Sequence, residues 1–244
     1  MNRRLIGTSR GVCLTEVMIA LAAGAVVLAA TLQSLDHFQH RLSRQHAGAA
    51  RTQDLRIGLR ILDEEVRLAG TASAPSEAPV RAAGEQEISF TANLGGLVTT
   101  LAEPVSSLQQ DLPVMDGADW AKGKRVLLCD RDRCAESQLA RDGRAHTLSV
   151  TNPLGYDFAA GSEVRLVNQV RYYLKTDRRG TASVMREVDG GANTLIGEVT
   201  RFRLRYFDRD GAQTVDPGRV SLVQIEAAAG GGQAVVRNVW VRGQ

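Results

Sequence analysis

The chain has 244 residues, 43% of them apolar and 23% charged, which is ample for a real core and close to globular averages; a disordered chain and a repeat array are both excluded. Its formal charge of +3 comes from 30 Lys and Arg against 27 Asp and Glu, but Arg3, Arg4 and Arg10 lie in the first 11 residues, which hold no acid, and the other 233 residues carry 27 of each sign. The basic excess belongs to a short leader, so nucleic acid is not expected as a partner.

Residues 12–32 form an apolar run of 21 positions with Glu16 as its only charge. As a helix it would reach about 30 Å, the thickness of a bilayer's hydrocarbon layer. The arginine-bearing stretch before it would stay cytoplasmic while the rest of the chain is exported. Three readings fit this segment: a cleaved secretory signal with its small-residue site near Leu28-Ala29-Ala30, a plain single-pass anchor, and a leader that is cut ahead of a retained helix. Glu16 argues against the first two, because a carboxylate inside an apolar segment costs several kcal/mol unless something neutralises it. The simpler account of Glu16 is that it lies at headgroup level.

The run does not end in a flexible linker. It continues without proline to residue 69, with Leu35, Phe38 and Leu42, and then Leu55, Leu59, Leu62, Val66 and Ala69, at spacings of three and four. That is the apolar stripe of an amphipathic helix, its phase slipping near Gly48, with Gly70 and Thr-Ala-Ser-Ala-Pro as the stop. A helix over 12–69 would measure roughly 87 Å, its second half lying against a head domain. His37 and His40 share a face and His46 follows, but they read as solvated histidines and not as metal ligands. Arg41, Arg44, Arg51, Arg56 and Arg60 alternate with Asp36, Asp54, Asp63, Glu64 and Glu65, the pattern of a solvated helix face.

Residues 70–86 read as a connection. Beyond them, alternating or β-branched runs predict strands at 87–91, 125–129, 147–151, 163–174, 184–188, 200–207, 220–227 and 234–241, with turn signals at 177–180 and 208–211. Cys129 and Cys134 have four residues between them and no further soft ligands for zinc. A local disulfide in an oxidising compartment is the better reading, and two reduced, unrelated cysteines the alternative. In 201–206, Phe202, Leu204 and Tyr206 would face one way and Arg201, Arg203 and Arg205 the other, as in a half-buried strand; the alternative, aromatics beside arginines stacking on single-stranded DNA, is disfavoured by the neutral charge of the chain beyond its leader. The acids around Asp130/Asp132 and Asp208/Asp210 lack a complete calcium-ligand spacing and read as turn formers. The expected fold class is α+β, a long amino-terminal helix packed on an antiparallel β-sheet head.

The string Gly11-Val12-Cys13-Leu14-Thr15-Glu16, with basic residues before it and an apolar helix after it, resembles the cleavage and methylation site of type IV pilins and type II secretion pseudopilins. The usual family residues after the cut are Phe and Thr, where this chain has Val12 and Cys13. The segments 62–70, 170–174, 197–199 with 202–207, 210–211 and 219–223 are similar to PilW-type minor pilins and J-type pseudopilins. The resemblance implies a leader over 1–11, cut by a prepilin peptidase between Gly11 and Val12, and N-methylation of Val12. It implies a transmembrane and filament-core helix over 12–34, an amphipathic continuation over 35–69 and a periplasmic head over 70–244. Glu16 would then meet the amino group of a neighbouring subunit in the filament core and set axial register, since a slipped subunit leaves both charges unsatisfied.

The implied partners are the prepilin peptidase, other minor pilins or pseudopilins, the inner membrane and, indirectly, an assembly platform and its ATPase. The implied place is the inner membrane and then the tip of a pilus or pseudopilus, where the subunit helps to initiate assembly. The chain has no G-x-S-x-G, no H-E-x-x-H and no Walker loop, and His146 is the only histidine beyond residue 69, so neither catalysis nor a cofactor is expected. The alternatives are a tip module that binds DNA or a surface, and a membrane-anchored periplasmic domain that never polymerises.

Overall fold

A computed structural model describes residues 14–131 and 133–241, with residues 40–47 described by their helical backbone alone. The chain divides into two compact units, Met1–Ala50 and Arg51–Gln244. Helix α1, Leu14–Arg67, runs through 54 residues with no proline to break it.

Within the first unit, Leu14–Gln39 is a stretch long and apolar enough to cross a membrane, and its side chains are exposed. Thr31 donates its hydroxyl to the Leu28 carbonyl (2.8 Å), so its polar atom is satisfied inside the helix. Leu35 and Phe38 of the expected stripe are exposed as well, and the side chain of Leu42 lies outside the described residues.

The second unit begins with the last turns of α1. Leu55, Leu59, Leu62 and Val66, and Ala69 just after the helix, are buried at the expected spacings of four and three, while Arg60–Glu64 and Arg67–Asp63 pair on the solvent side. The helix closes at Arg67, two residues short of the expected end. Leu68 and Ala69 instead make tight three-residue turns, their N–H groups bonding the carbonyls of Glu65 and Val66 (3.0 Å), and Gly70 takes the left-handed conformation (φ 85°) that ends helices. Gly58 has a packing role, since a Cβ there would sit 2.3 Å from Ile196 Cγ1.

The strands are β1 Val80–Gly84, β2 Glu87–Ala92, β3 Val98–Thr100, β4 Asp111–Pro113, β5 Arg125–Asp130, β6 Arg133–Gln138, β7 Thr147–Ser149, β8 Glu163–Thr176, β9 Ala182–Val188, β10 Gly191–Ile196, β11 Val199–Phe207, β12 Leu222–Ala229 and β13 Val235–Trp240. All eight expected strands are present. The segment expected to be a bare connection, 70–86, contains β1, which pairs with β2 through a hairpin at Glu85-Gln86. All named pairings are antiparallel.

The 14-residue β8 is the spine of the larger sheet: its first half pairs with β3 and β5, its second half with β2 and β9. Two cores follow from that division. One gathers the buried stripe of α1, Phe90, Tyr172, Ile196 and the inner faces of β11, β12 and β13. The other gathers Leu112, Trp120, Leu128, Leu139, Leu148 and Phe158 around the first half of β8. The β1–β2 turn links the larger sheet to the three-stranded sheet β11–β12–β13. Leu204 N–H donates to the Glu85 carbonyl (2.7 Å), and the Tyr206 hydroxyl lies 2.8 Å from the carbonyls of both Gly84 and Glu87.

Asp189 fixes another junction. It forms the β9–β10 turn with Gly190, both at positive φ, and accepts from Lys124 Nζ, Asn168 Nδ2 and the Gln169 N–H, each at 2.9 Å. Burial raises its pKa, but these donors outweigh burial and hold it below the ordinary carboxylate value. A depressed folded pKa contributes stability that is present above the unfolded value near 4 and is lost as pH falls through the folded one. Asp189→Asn, which also tolerates the left-handed turn, is expected to cost about 1 kcal/mol at pH 7, and the gap from the parent should close below about pH 4. Urea midpoints at the two pH values check this.

Candidate functional site

Gly11 and Val12, the expected cleavage and methylation residues, lie outside the described residues, as does Cys13. Glu16 stands in the first described turn of α1, exposed, among the exposed side chains of Leu14, Val17, Met18 and Ile19. From Leu14 to Leu35 it is the only ionisable side chain. An exposed apolar helix in water is costly, at about 25 cal/mol for each Å² left uncovered, and a helix of this length and composition is compatible with a single membrane crossing, where lipid would cover it. A carboxylate inside that cover needs a cation to meet it.

Cys129 and Cys134 are joined in a disulfide. They face each other across the β5–β6 hairpin with Cα atoms 4.2 Å apart, the close approach of a non-hydrogen-bonded antiparallel pair, where a cross-strand bridge fits. Both pack against a small cluster of Ala72, Leu127 and Val167. Closing so short a loop is worth about 2 kcal/mol in the chain-entropy account. Changing both cysteines to serine is expected to lower stability by that amount, read as a shift of the urea midpoint that reductant reproduces in the parent. A parent midpoint indifferent to reductant would contradict it.

One polar constellation was not read from the sequence. Glu65, on the last turns of α1, accepts from Arg186 on β9, whose Nε–H is shared between both carboxylate oxygens (3.0 and 3.1 Å) and whose Nη2 donates to Oε1 (2.5 Å), and from the hydroxyl of Tyr172 on β8. Tyr172 is fully buried and Glu65 nearly so. Burial, and then the Glu65 carboxylate, push the Tyr172 hydroxyl far above its ordinary range, so it stays a donor, and the hydrogen bond to Glu65 raises the Arg186 pKa. The three partners lie 107 and 121 residues apart, and no local pattern announces them. Their work is structural: they fasten the end of the helix to the sheet.

The acidic turns serve the backbone. Asp208 Oδ1 accepts from the N–H groups of Asp210 and Ala212 and its Oδ2 from Arg219, while Asp177 Oδ1 accepts from Arg179 and Thr181. Asp132 lies outside the described residues. His37 is exposed, and the side chains of His40 and His46 lie outside the described residues. Among the described residues no group of three or more His, Cys, Asp or Glu could hold a metal ion.

Compared with known proteins, the chain matches no protein-family model and no curated protein.

Proposed function

We propose that the chain is a minor pilin or pseudopilin subunit, processed by a prepilin peptidase and inserted at the tip of a type IV pilus or type II secretion pseudopilus to initiate assembly. The observation that carries this reading is the unbroken helix α1. Its stretch 14–35 is exposed and holds Glu16 as the only ionisable side chain, and its last turns are buried in the core of a strand-rich unit. A plain anchor has no need for helix continuity beyond the membrane, nor for a carboxylate within it. A filament subunit needs both: the continuous helix transmits the head's position to the core, and the acid recognises the amine exposed when a neighbour's leader is removed.

The leader arginines and the disulfide support one orientation. Positive charge holds the amino terminus in the cytoplasm, and a disulfide persists on the oxidising, periplasmic side. Before assembly the inner membrane covers the apolar helix, and afterwards the helices of other minor subunits do. The assembly platform and its ATPase act through those partners, not through this chain.

Glu16→Ala tests the reading. The variant is expected to be exported and cut normally, while pilus or secretion output falls by at least about tenfold, because the neighbour's buried amine loses its counter-charge. Unchanged output would mean that the helix only anchors the chain.

A further inference from the structure

The register of the three-stranded sheet creates a face that the sequence pattern did not show. On β11 the arginines alternate with buried Phe202, Leu204 and Tyr206, which separates basic from aromatic side chains within that strand alone. The pairing aligns Phe207 with Leu222 and Leu222 with Trp240, so an apolar row crosses the sheet on the same side as Arg201, Arg203 and Arg205. Beside it run Arg205, Gln224 and Asn238, and then Arg203, Glu226 and Val236. Trp240 is 62% exposed, an unusual place for so large a ring, and Phe207 and Leu222 are half-buried around it.

The row spans two strand spacings, about 10 Å, and successive arginines on β11 stand about 7 Å apart. Two of the three arginines are partly engaged: Arg201 pairs with Glu226 (2.9 Å), and Arg205 donates to the Gln224 amide oxygen (3.4 Å). Glu226 and Glu85 are the carboxylates lining the adjoining cleft, a space of about 420 Å³ between this face and the β1–β2 turn, within the range of sites that hold a small molecule. Cations therefore outnumber anions at the surface, although the chain beyond its leader is neutral. A β surface carrying the exposed ring of Trp240 and the half-buried ring of Phe207 beside guanidinium groups offers stacking for bases and charge for phosphates. A duplex keeps its bases stacked inside and presents no ring faces to Trp240; a single strand does.

We propose that the outer face of β11–β12–β13 binds single-stranded nucleic acid, with Trp240 and Phe207 stacking bases and Arg203 and Arg205 meeting phosphates. The assignment is independent of the filament reading, since it requires only the folded strand-rich unit.

The test uses the full chain in detergent micelles and a fluorescent oligothymidine of about 15 nucleotides. Anisotropy is expected to report binding that weakens about sevenfold between roughly 50 and 200 mM salt, the slope of two neutralised phosphates. Trp240→Ala should weaken it about tenfold, and Arg203→Glu with Arg205→Glu should weaken it further and flatten the salt slope. In a Trp120→Phe background the remaining tryptophan fluorescence should be quenched on binding. Trp240, Arg203 and Arg205 lie on an exposed face, so unchanged urea midpoints confirm that their variants fold; Trp120 is buried, so the Trp120→Phe background is compared with its own Trp240→Ala derivative. The proposal is overturned by any of four results: no anisotropy change, an unaltered affinity in Trp240→Ala, equal affinity for a duplex of the same length, or Trp240 quenching by a neutral oligosaccharide in place of the oligonucleotide.

Discussion

Glu65→Ala is expected to destabilise the strand-rich unit by about 3 kcal/mol, lowering its melting temperature by roughly 9 °C. The estimate rests on what the substitution leaves behind. Tyr172 is fully buried with its hydroxyl aimed at Glu65, and the Arg186 guanidinium is mostly withdrawn from water beside it. Removing the carboxylate orphans a buried donor and a partly buried cation together, the costly way to break such a cluster. Glu65→Gln keeps an acceptor for Tyr172 and should recover part of the loss. Replacing Glu65, Tyr172 and Arg186 together with apolar residues should be milder than Glu65→Ala alone. Thermal unfolding followed by the strand signal in circular dichroism separates these cases, and a loss under 1 kcal/mol in Glu65→Ala would show that the helix end is held by its apolar stripe alone.

Leu62→Ala should cost about 3.5 kcal/mol and lower the melting temperature by roughly 10 °C. Leu62 has no exposed surface and lies in the same core as Phe90, Tyr172, Ile225 and Val239. The surrounding strands are hydrogen-bonded to one another and cannot collapse onto the vacated volume, so the cavity persists. The same change at Leu35, which is exposed within the first unit, should leave the unfolding midpoint within about 0.5 kcal/mol of the parent. Denaturant unfolding of both variants under one detergent condition makes the contrast direct.

What was legible in the sequence was what repeats locally. The stripe from Leu55 to Ala69 predicts the buried helix face because helical spacing and burial are the same fact, and the alternation in 201–206 predicts β11 for the same reason. The cysteine pair was legible because two thiols with four residues between them fit one hairpin. The strands that escaped notice lack any such signature. β3 and β4 have three residues each, β4 ends in Pro113, and the polar β6 and β10 owe their place to the partners β5 and β9. β1 hides in a stretch rich in alanine, where side chains are too small to show a period.

The helix-end cluster and the Phe207–Leu222–Trp240 row were illegible for another reason. Each is a property of register between distant segments, and no window of sequence contains it. Glu16 is the opposite case. Its expected role rests on a short string, and its proposed partner is an amine on another subunit.

That partner exists only if the leader is removed. Mass spectrometry of the amino-terminal peptide of the membrane-extracted protein is therefore the most direct test of the filament reading. The account predicts a chain that starts at an N-methylated Val12 and retains Glu16 as its fifth residue. A chain that keeps Met1, or one that starts near Thr31 after loss of the apolar helix, would contradict it.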